Sequence, residues 1–375
     1  MRKIRLTLSI AIARLAGALS KTILRRSGET LPGKVLLTLC PNAITQLAAD
    51  KTVLLVSGTN GKTSTTKALV KIVSQLGAVT TSASGSNLAR GAATALMNKA
   101  PFAVLEMDEL HLQQVMRESH PDVVLLLNLT RDQLHRMHEV KKVADRWHAS
   151  CTASPVTTFV IDVDDPFLNY ATKDCPKVIR VSFGGRKHPD AAVCPSCGIY
   201  LLWNGGIYTC QCGLTNKRTD QTLPNGSAAY RNEALANIAG QVIGAPALDV
   251  DDAELERTVT KEFNGVTTKI RLTKNPASWT EALTAVTNPN VILILNARQV
   301  DGIDTSWLWD ISFAILKGRK VVVTGERAMD LVYRLHVEGI EVKQAPDFAS
   351  AIKQFEKGSE VQVLAAYTAF FGLVK

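Results

Sequence analysis

Residues 53–73 read VLLVSGTNGKTSTTKALVKIV, and Gly58-Thr59-Asn60-Gly61-Lys62-Thr63 joins an apolar run to an amphipathic one. A turn of this kind between a strand and a helix aims successive backbone N–H groups, and the positive helix end, at an anion. Lys62 would reach the terminal phosphates of a nucleotide such as ATP. Thr63 would ligate Mg²⁺, and Gly58, Thr59, Asn60, Gly61 and Ser64 would line the phosphates. A standard phosphate loop has glycine five residues before its second one, where this chain has Val56. The bland alternative is a Gly/Asn turn. Lys-Thr directly after the glycine, in a strand–loop–helix context, argues against it.

Polar residues downstream suit the same chemistry. Glu106 closes FAVLE, and ligands of open α/β sheets bind at the C-terminal ends of strands, so it is a candidate Mg²⁺ ligand. Asp108 reads either as a residue supporting that ligand or as a helix cap. In NLTRDQLHR, Asn128, Arg131 and Asp132 would face phosphates and metal. Asp165, in DVDDP, reads either as a nucleotide contact or as part of a proline-associated turn.

Four of the seven cysteines are clustered as Cys194-Pro-Ser-Cys197 and Cys210-Gln-Cys212, twelve residues apart, with a glycine after each pair. Two short turns offering two thiolates each make a zinc ribbon, a closed structural Zn²⁺ site. The second pair is C-x-C where C-x₂-C is usual; the expected ligands are these four cysteines, with His188 the alternative should one fall out of reach. The odd total and the clustering point to a reducing compartment and a metal, not to disulfides. Cys40, Cys151 and Cys175 stand alone and read as core residues. Tyr200, Trp203 and Tyr208 have no basic residues interleaved among them, which argues against nucleic acid as a partner.

The elements that must position these groups follow from the apolar pattern. From Lys51 to about Gly185, near-continuous apolar runs alternate with helical ones, the pattern of a parallel sheet covered on both faces. A Cys- and Gly-rich insert occupies about 186–222, and helical periodicity resumes at AAYRNEALANIAGQVIG. The expected organisation is a lead-in over 1–50, a central α/β domain over 51–247 and a C-terminal α/β domain over 262–375. No internal repeat is visible. The chain of 375 residues carries a formal charge of +9, which suits an acidic partner or plain solubility. Near the N-terminus Leu8, Ile12, Leu15, Leu19 and Ile23 recur at helical spacing among basic residues. That fits a cationic amphipathic helix, packed on the domain or touching a membrane surface, better than an export signal.

The motifs together resemble the MurT family, the ligase subunits of bacterial lipid II isoglutaminyl synthase. GTNGKT followed by Ser/Thr is the loop version shared by Mur ligases and folylpolyglutamate synthases. LPGKVLL, NLTRDQLHR, the four-cysteine insert, TKNPAS at 273–278, LNARQVDGIDTSWLWD at 295–310 and AAYTAFFGL carry the likeness nearly end to end. The family differs at DQLHR (usually DQLDR), at YRNEALA, at FNG near 263 and in the C-x-C pair.

This resemblance implies a Mur ligase-type central P-loop ATPase domain with an inserted four-cysteine zinc ribbon, plus a C-terminal α/β domain. It implies ATP-dependent activation of the D-glutamate α-carboxylate of the lipid II stem peptide as an acyl phosphate. Ammonia from a separate class I glutaminase, GatD, then gives D-isoglutamine. It implies a cytoplasmic enzyme, peripheral at the inner face of the membrane. An aspartate of this chain would complete the partner's catalytic triad, Asp304 being favoured over Asp301 and Asp310. Turn and helix capping is the bland reading for those aspartates. Asn275 would help position nucleotide or substrate. The alternative activity is a Mur- or folylpolyglutamate synthase-like addition of an amino acid to a carboxylate. No counterpart of the carbamylated lysine of amino-acid-adding Mur ligases is visible, which favours ammonia. A zinc-ribbon binding module without ligase chemistry is the third reading.

Overall fold

The computed structural model describes residues 2–23, 30–82, 87–131, 140–249, 258–298 and 301–374. The chain divides into two compact units, 1–129 with 140–254, and 130–139 with 255–375.

In the first unit the apolar runs become strands because both sheet faces are covered. The strands are β1 (Thr52–Ser57), β2 (Val79–Thr81), β3 (Phe102–Met107), β4 (Val123–Leu126), β5 (Thr158–Asp162) and β6 (Val178–Ser182). Between β6 and the last strand come β7 (Leu202–Asn204) and β8 (Ile207–Thr209), a separate antiparallel hairpin, and then β9 (Gln221–Thr222). Among the described residues the main sheet runs β2-β3-β1-β4-β5-β6-β9, and every pairing in it is parallel. Val53, Leu54, Leu55 and Val56 of β1 are all buried. Each such aliphatic side chain contributes roughly 1.5–3 kcal/mol when fully buried. A charge at Leu54 would therefore break the centre of the sheet.

The chain leaves β1 toward β2 and β3 on one side, and β4 lies on the other. β1 is thus the switch point, where a crevice opens beyond the strand ends. Val56 pairs with Glu106 on β3 and Leu125 on β4, inside the sheet. Position 56 is strand here, so the loop begins only at Gly58 and no glycine is needed earlier.

Helix Arg2–Ile23 belongs to this unit and packs closely on helix Leu31–Leu39. A Cβ on Gly17 would lie 2.6 Å from Pro32 Cγ, so only glycine admits this approach. No described helix is long and apolar enough to cross a membrane.

The second unit has its own sheet, with β10 (Thr258–Phe263), β11 (Val266–Leu272), β12 (Asn290–Ile294), β13 (Lys320–Thr324), β14 (Val342–Gln344) and β15 (Glu360–Ala365). Their order among the described residues is β10-β11-β15-β12-β13-β14, parallel except for the β10–β11 hairpin. Cores lie on both faces. One gathers Trp279, Trp307 and Phe313, the other Ile292, Phe355 and Phe370.

Candidate nucleotide site, cysteine cluster and aspartate loop

At the end of β1, Gly58 has φ +148° and Gly61 has φ +83°, and helix Lys62–Val73 starts immediately after. A Cβ on Gly61 would fall 2.1 Å from Asn232 Nδ2, on helix Ala228–Val242. Both glycines are therefore required by the turn itself. The loop is held by Asn128 from the end of β4. Its Oδ1 accepts from Asn60 N at 2.9 Å, its Nδ2 donates to Asn60 O at 2.9 Å, and its carbonyl accepts from Thr59 N. Both polar atoms of the Asn128 side chain are thus engaged with the loop's backbone.

Lys62 Nζ donates to Gly58 O at 2.5 Å and to Glu109 Oε2 at 3.1 Å, with both side chains largely buried. Thr63 and Ser64, in the first turn of the helix, are half-buried. Glu106 is buried at the end of β3, in register beside Val56 and two residues short of the loop. Ser82, just past β2, brackets it by donating to Glu106 O and accepting from Glu106 N. Three groups with phosphate or metal chemistry, the loop amides, Lys62 and Glu106, therefore sit at neighbouring strand ends. Glu109 joins them. The signal in the sequence was the last acid of EMDE, three residues after Glu106.

Other candidates are placed differently. Asp108 makes a turn, accepting from Leu110 N with its side chain and from His111 N and Leu112 N with its carbonyl. Asp165 is fully buried and caps helix Pro166–Ala171 through Phe167 N and Leu168 N, while its other oxygen accepts from Leu129 N. Both carboxylate oxygens are therefore used in the turn and the helix cap, as the proline-associated reading expects. Burial works to raise its carboxyl, but His188 and those N–H groups outweigh this and keep it below the usual carboxylate range. Asp132 lies outside the described residues.

The four cysteines converge. All four Sγ atoms lie within 4.8 Å of one another, with Cys194–Cys212 at 3.7 Å and Cys197–Cys210 at 3.3 Å. Metal–thiolate bonds of about 2.3 Å in a tetrahedron separate sulfurs by about 3.8 Å, so the set fits one ion. Each pair sits in a turn closed by a left-handed glycine, Gly198 after Cys194 O and Gly213 after Cys210 O. The short C-x-C turn brings both of its thiols into the cluster, and His188 is engaged elsewhere. Its Nδ1 accepts from Asp190 N, and its Nε2 lies 3.4 Å from Asp165. Asp164, also buried, ties the insert to the sheet by accepting from Ser182 Oγ, Phe183 N, Gly185 N and Asn216 Nδ2. Cys151 and Cys175 are free thiols in the core, as is Cys40.

In the second unit the aspartates separate by environment. Asp301 is buried and accepts from Thr368 N and Thr368 Oγ1, each at 2.7 Å, so it anchors helix Tyr367–Val374. Asp310 accepts from Arg131 at 2.7 Å. Asp304 is half-exposed and accepts from Ser306 N at 2.8 Å, at the start of the 3₁₀ turn Ser306–Asp310. Asn275 is a buried N-cap in a reciprocal box with Ser278.

The family model for the Mur ligase middle domain matches residues 56–215, and that for the MurT ligase C-terminal domain matches 272–370. The chain is 28% identical to the lipid II isoglutaminyl synthase (glutamine-hydrolysing) subunit MurT of Streptococcus pneumoniae, over 97% of this chain and 96% of that protein. With the subunit of the same name from Staphylococcus aureus (strain N315) it shares 27% identity, over 89% and 88%. The fold is that of the MurF ligase from Thermotoga maritima solved in complex with ADP, with a TM-score of 0.62 and 16% identity, over 92% of this chain and 82% of that one. The Gly58–Thr63 loop and the cysteine cluster thus fall in the segment matched by the Mur ligase middle-domain model, the aspartate loop falls in that matched by the MurT ligase C-terminal model, and the chain is similar to MurT over almost its whole length.

Proposed function

We propose that this chain is the ATP-dependent ligase subunit of a lipid II isoglutaminyl synthase. The observation that carries the reading is the adjacency of the Gly58–Thr63 loop, Lys62 and Glu106 at the switch point, in a chain that resembles MurT throughout. The α-carboxylate of the stem-peptide D-glutamate attacks the γ-phosphate of ATP, and ADP leaves. Ammonia then attacks the acyl carbon of the acyl phosphate, inorganic phosphate departs, and D-isoglutamine remains.

The loop amides and Lys62 bind and orient the phosphates. Thr63 and Glu106 are the residues to hold Mg²⁺, which when bound neutralises charge on the transferring phosphoryl group. The four cysteines hold Zn²⁺ as a structural ion. Ammonia comes from a class I glutaminase partner of the GatD type. Asp304, half-exposed at the start of the Ser306–Asp310 turn, is the aspartate we assign to orient the partner's histidine. Exposed Trp309, Met329 and Tyr333 lie on the same unit, with Trp309 and Tyr333 in ring contact, and suit a protein neighbour. The substrate lipid keeps the complex at the cytoplasmic face of the membrane.

The test is amidation of lipid II by the chain with its glutaminase partner, given ATP and either glutamine or ammonium chloride. Turnover with ammonium and no added amino acid is expected. A requirement for an amino acid as nucleophile would instead make the chain an amino-acid-adding ligase.

A further inference from the structure

Helix Arg2–Ile23 faces the protein with its small residues and solvent with its large ones. Ser9, Ala13 and Ser20 are buried, and Gly17 meets Pro32, so the inward stripe is made of residues that allow close approach. Outward, Ile4, Leu8, Ile12, Leu15 and Leu19 are 74%, 62%, 42%, 61% and 48% exposed. Their spacing of four, four, three and four keeps them on one face of an α-helix. The helix's most hydrophobic face is thus an exposed one. The orientation is held by Arg5, which donates to Leu39 O, and by Arg14, which donates to Met97 O.

Charge identifies the occupant. Between positions 2 and 26 the sequence has seven basic residues and no acidic one. Arg5 and Arg14 are bonded to backbone carbonyls, which leave their charge in place. Two such helices from two copies would repel one another. A flat anionic surface with an apolar interior satisfies both features. The helix is not long and apolar enough to cross that interior. We propose that helix Arg2–Ile23 lies in the plane of an anionic lipid surface, with Ile4, Leu8, Ile12, Leu15 and Leu19 inserted among the acyl chains. This deepens the membrane placement proposed above and gives it a physical device.

The experiment uses the full chain with its glutaminase partner and vesicles containing phosphatidylglycerol but no lipid II. Wild type should co-sediment with these vesicles and bind at least tenfold more weakly to pure phosphatidylcholine. Leu8→Asp with Leu15→Asp should lower binding at least tenfold, whereas Leu8→Phe with Leu15→Phe should retain it. Amidation of lipid II in detergent micelles should be equal in all three, which shows that the variants fold. Vesicle binding unchanged by the aspartates would overturn the proposal. So would failure of wild type to bind, or a dimer that the aspartates dissociate. If wild type binds vesicles but amidates nothing, the function reading fails and this one stands.

Discussion

Lys62 Nζ lies 3.1 Å from the carboxylate of Glu109, and both side chains are largely buried beside the phosphate loop. The lysine expected to hold phosphate is thus already ion-paired. Phosphate arriving at Lys62 would compete with Glu109, whose negative charge would then face the nucleotide unless a divalent cation came between them.

Glu109→Gln removes that charge while keeping the shape. ATP binding in EDTA should tighten by a few fold, and the Mg²⁺ concentration for half-maximal amidation should rise about tenfold, equivalent to about 1.4 kcal/mol. Titrations with and without Mg²⁺ read both effects. Weaker ATP binding under both conditions would leave Glu109 with a role in the fold alone.

Glu106→Ala should abolish amidation with glutamine and with ammonium alike, by on the order of 10² or more, because several kcal/mol of charge stabilisation is lost with a metal ligand. Thermal unfolding and zinc content should stay near wild type. Loss of only the glutamine-driven reaction would show that Glu106 is not part of the ligase site.

The three aspartates of the second unit should part company. Asp304→Asn keeps the turn at Ser306 and should remove glutamine-dependent amidation while ammonium still supports it. Asp301→Ala leaves Thr368 N and Thr368 Oγ1 without their acceptor and should cost about 1–3 kcal/mol of stability. Denaturant melts and paired activity assays separate the two. If Asp304→Asn kills both reactions, that residue belongs to the ligase site or the fold.

Metal should matter to the fold, not the chemistry. Burial pushes the Cys194 thiol up to about 12, and Cys212 falls to about 7, where burial is outweighed by Leu214 N–H and the neighbouring thiols. Cys194 must therefore lose a proton on binding, and zinc affinity should fall as pH drops from 8 to 6. Chelation or Cys197→Ser should lower the melting temperature of the first unit. Elemental analysis finding no zinc in folded protein would remove the zinc assignment.

Asn128→Ala should loosen the loop it clamps. The expected outcome is a KM for ATP raised roughly tenfold with kcat little changed, as the two hydrogen bonds to Asn60 are each worth about 1 kcal/mol. A fall in kcat with KM unchanged would give Asn128 a direct part in the reaction.

What the sequence determined by itself is what short-range pattern encodes. Apolar runs dictated a parallel sheet because strands covered on both faces cannot alternate. The Gly58–Thr63 loop was legible because its backbone turn and its chemistry lie within six consecutive residues. The four cysteines were legible because each thiolate pair sits in one turn. Only the tertiary structure decided how the remaining polar residues are used, since each is set by a partner far along the chain. Asn128 is matched to Asn60, Asp165 to Leu129, Asp301 to Thr368 and Lys62 to Glu109. A buried polar group must find such a partner or remain costly, and the same side chain is a ligand or a strut according to which partner the fold brings to it.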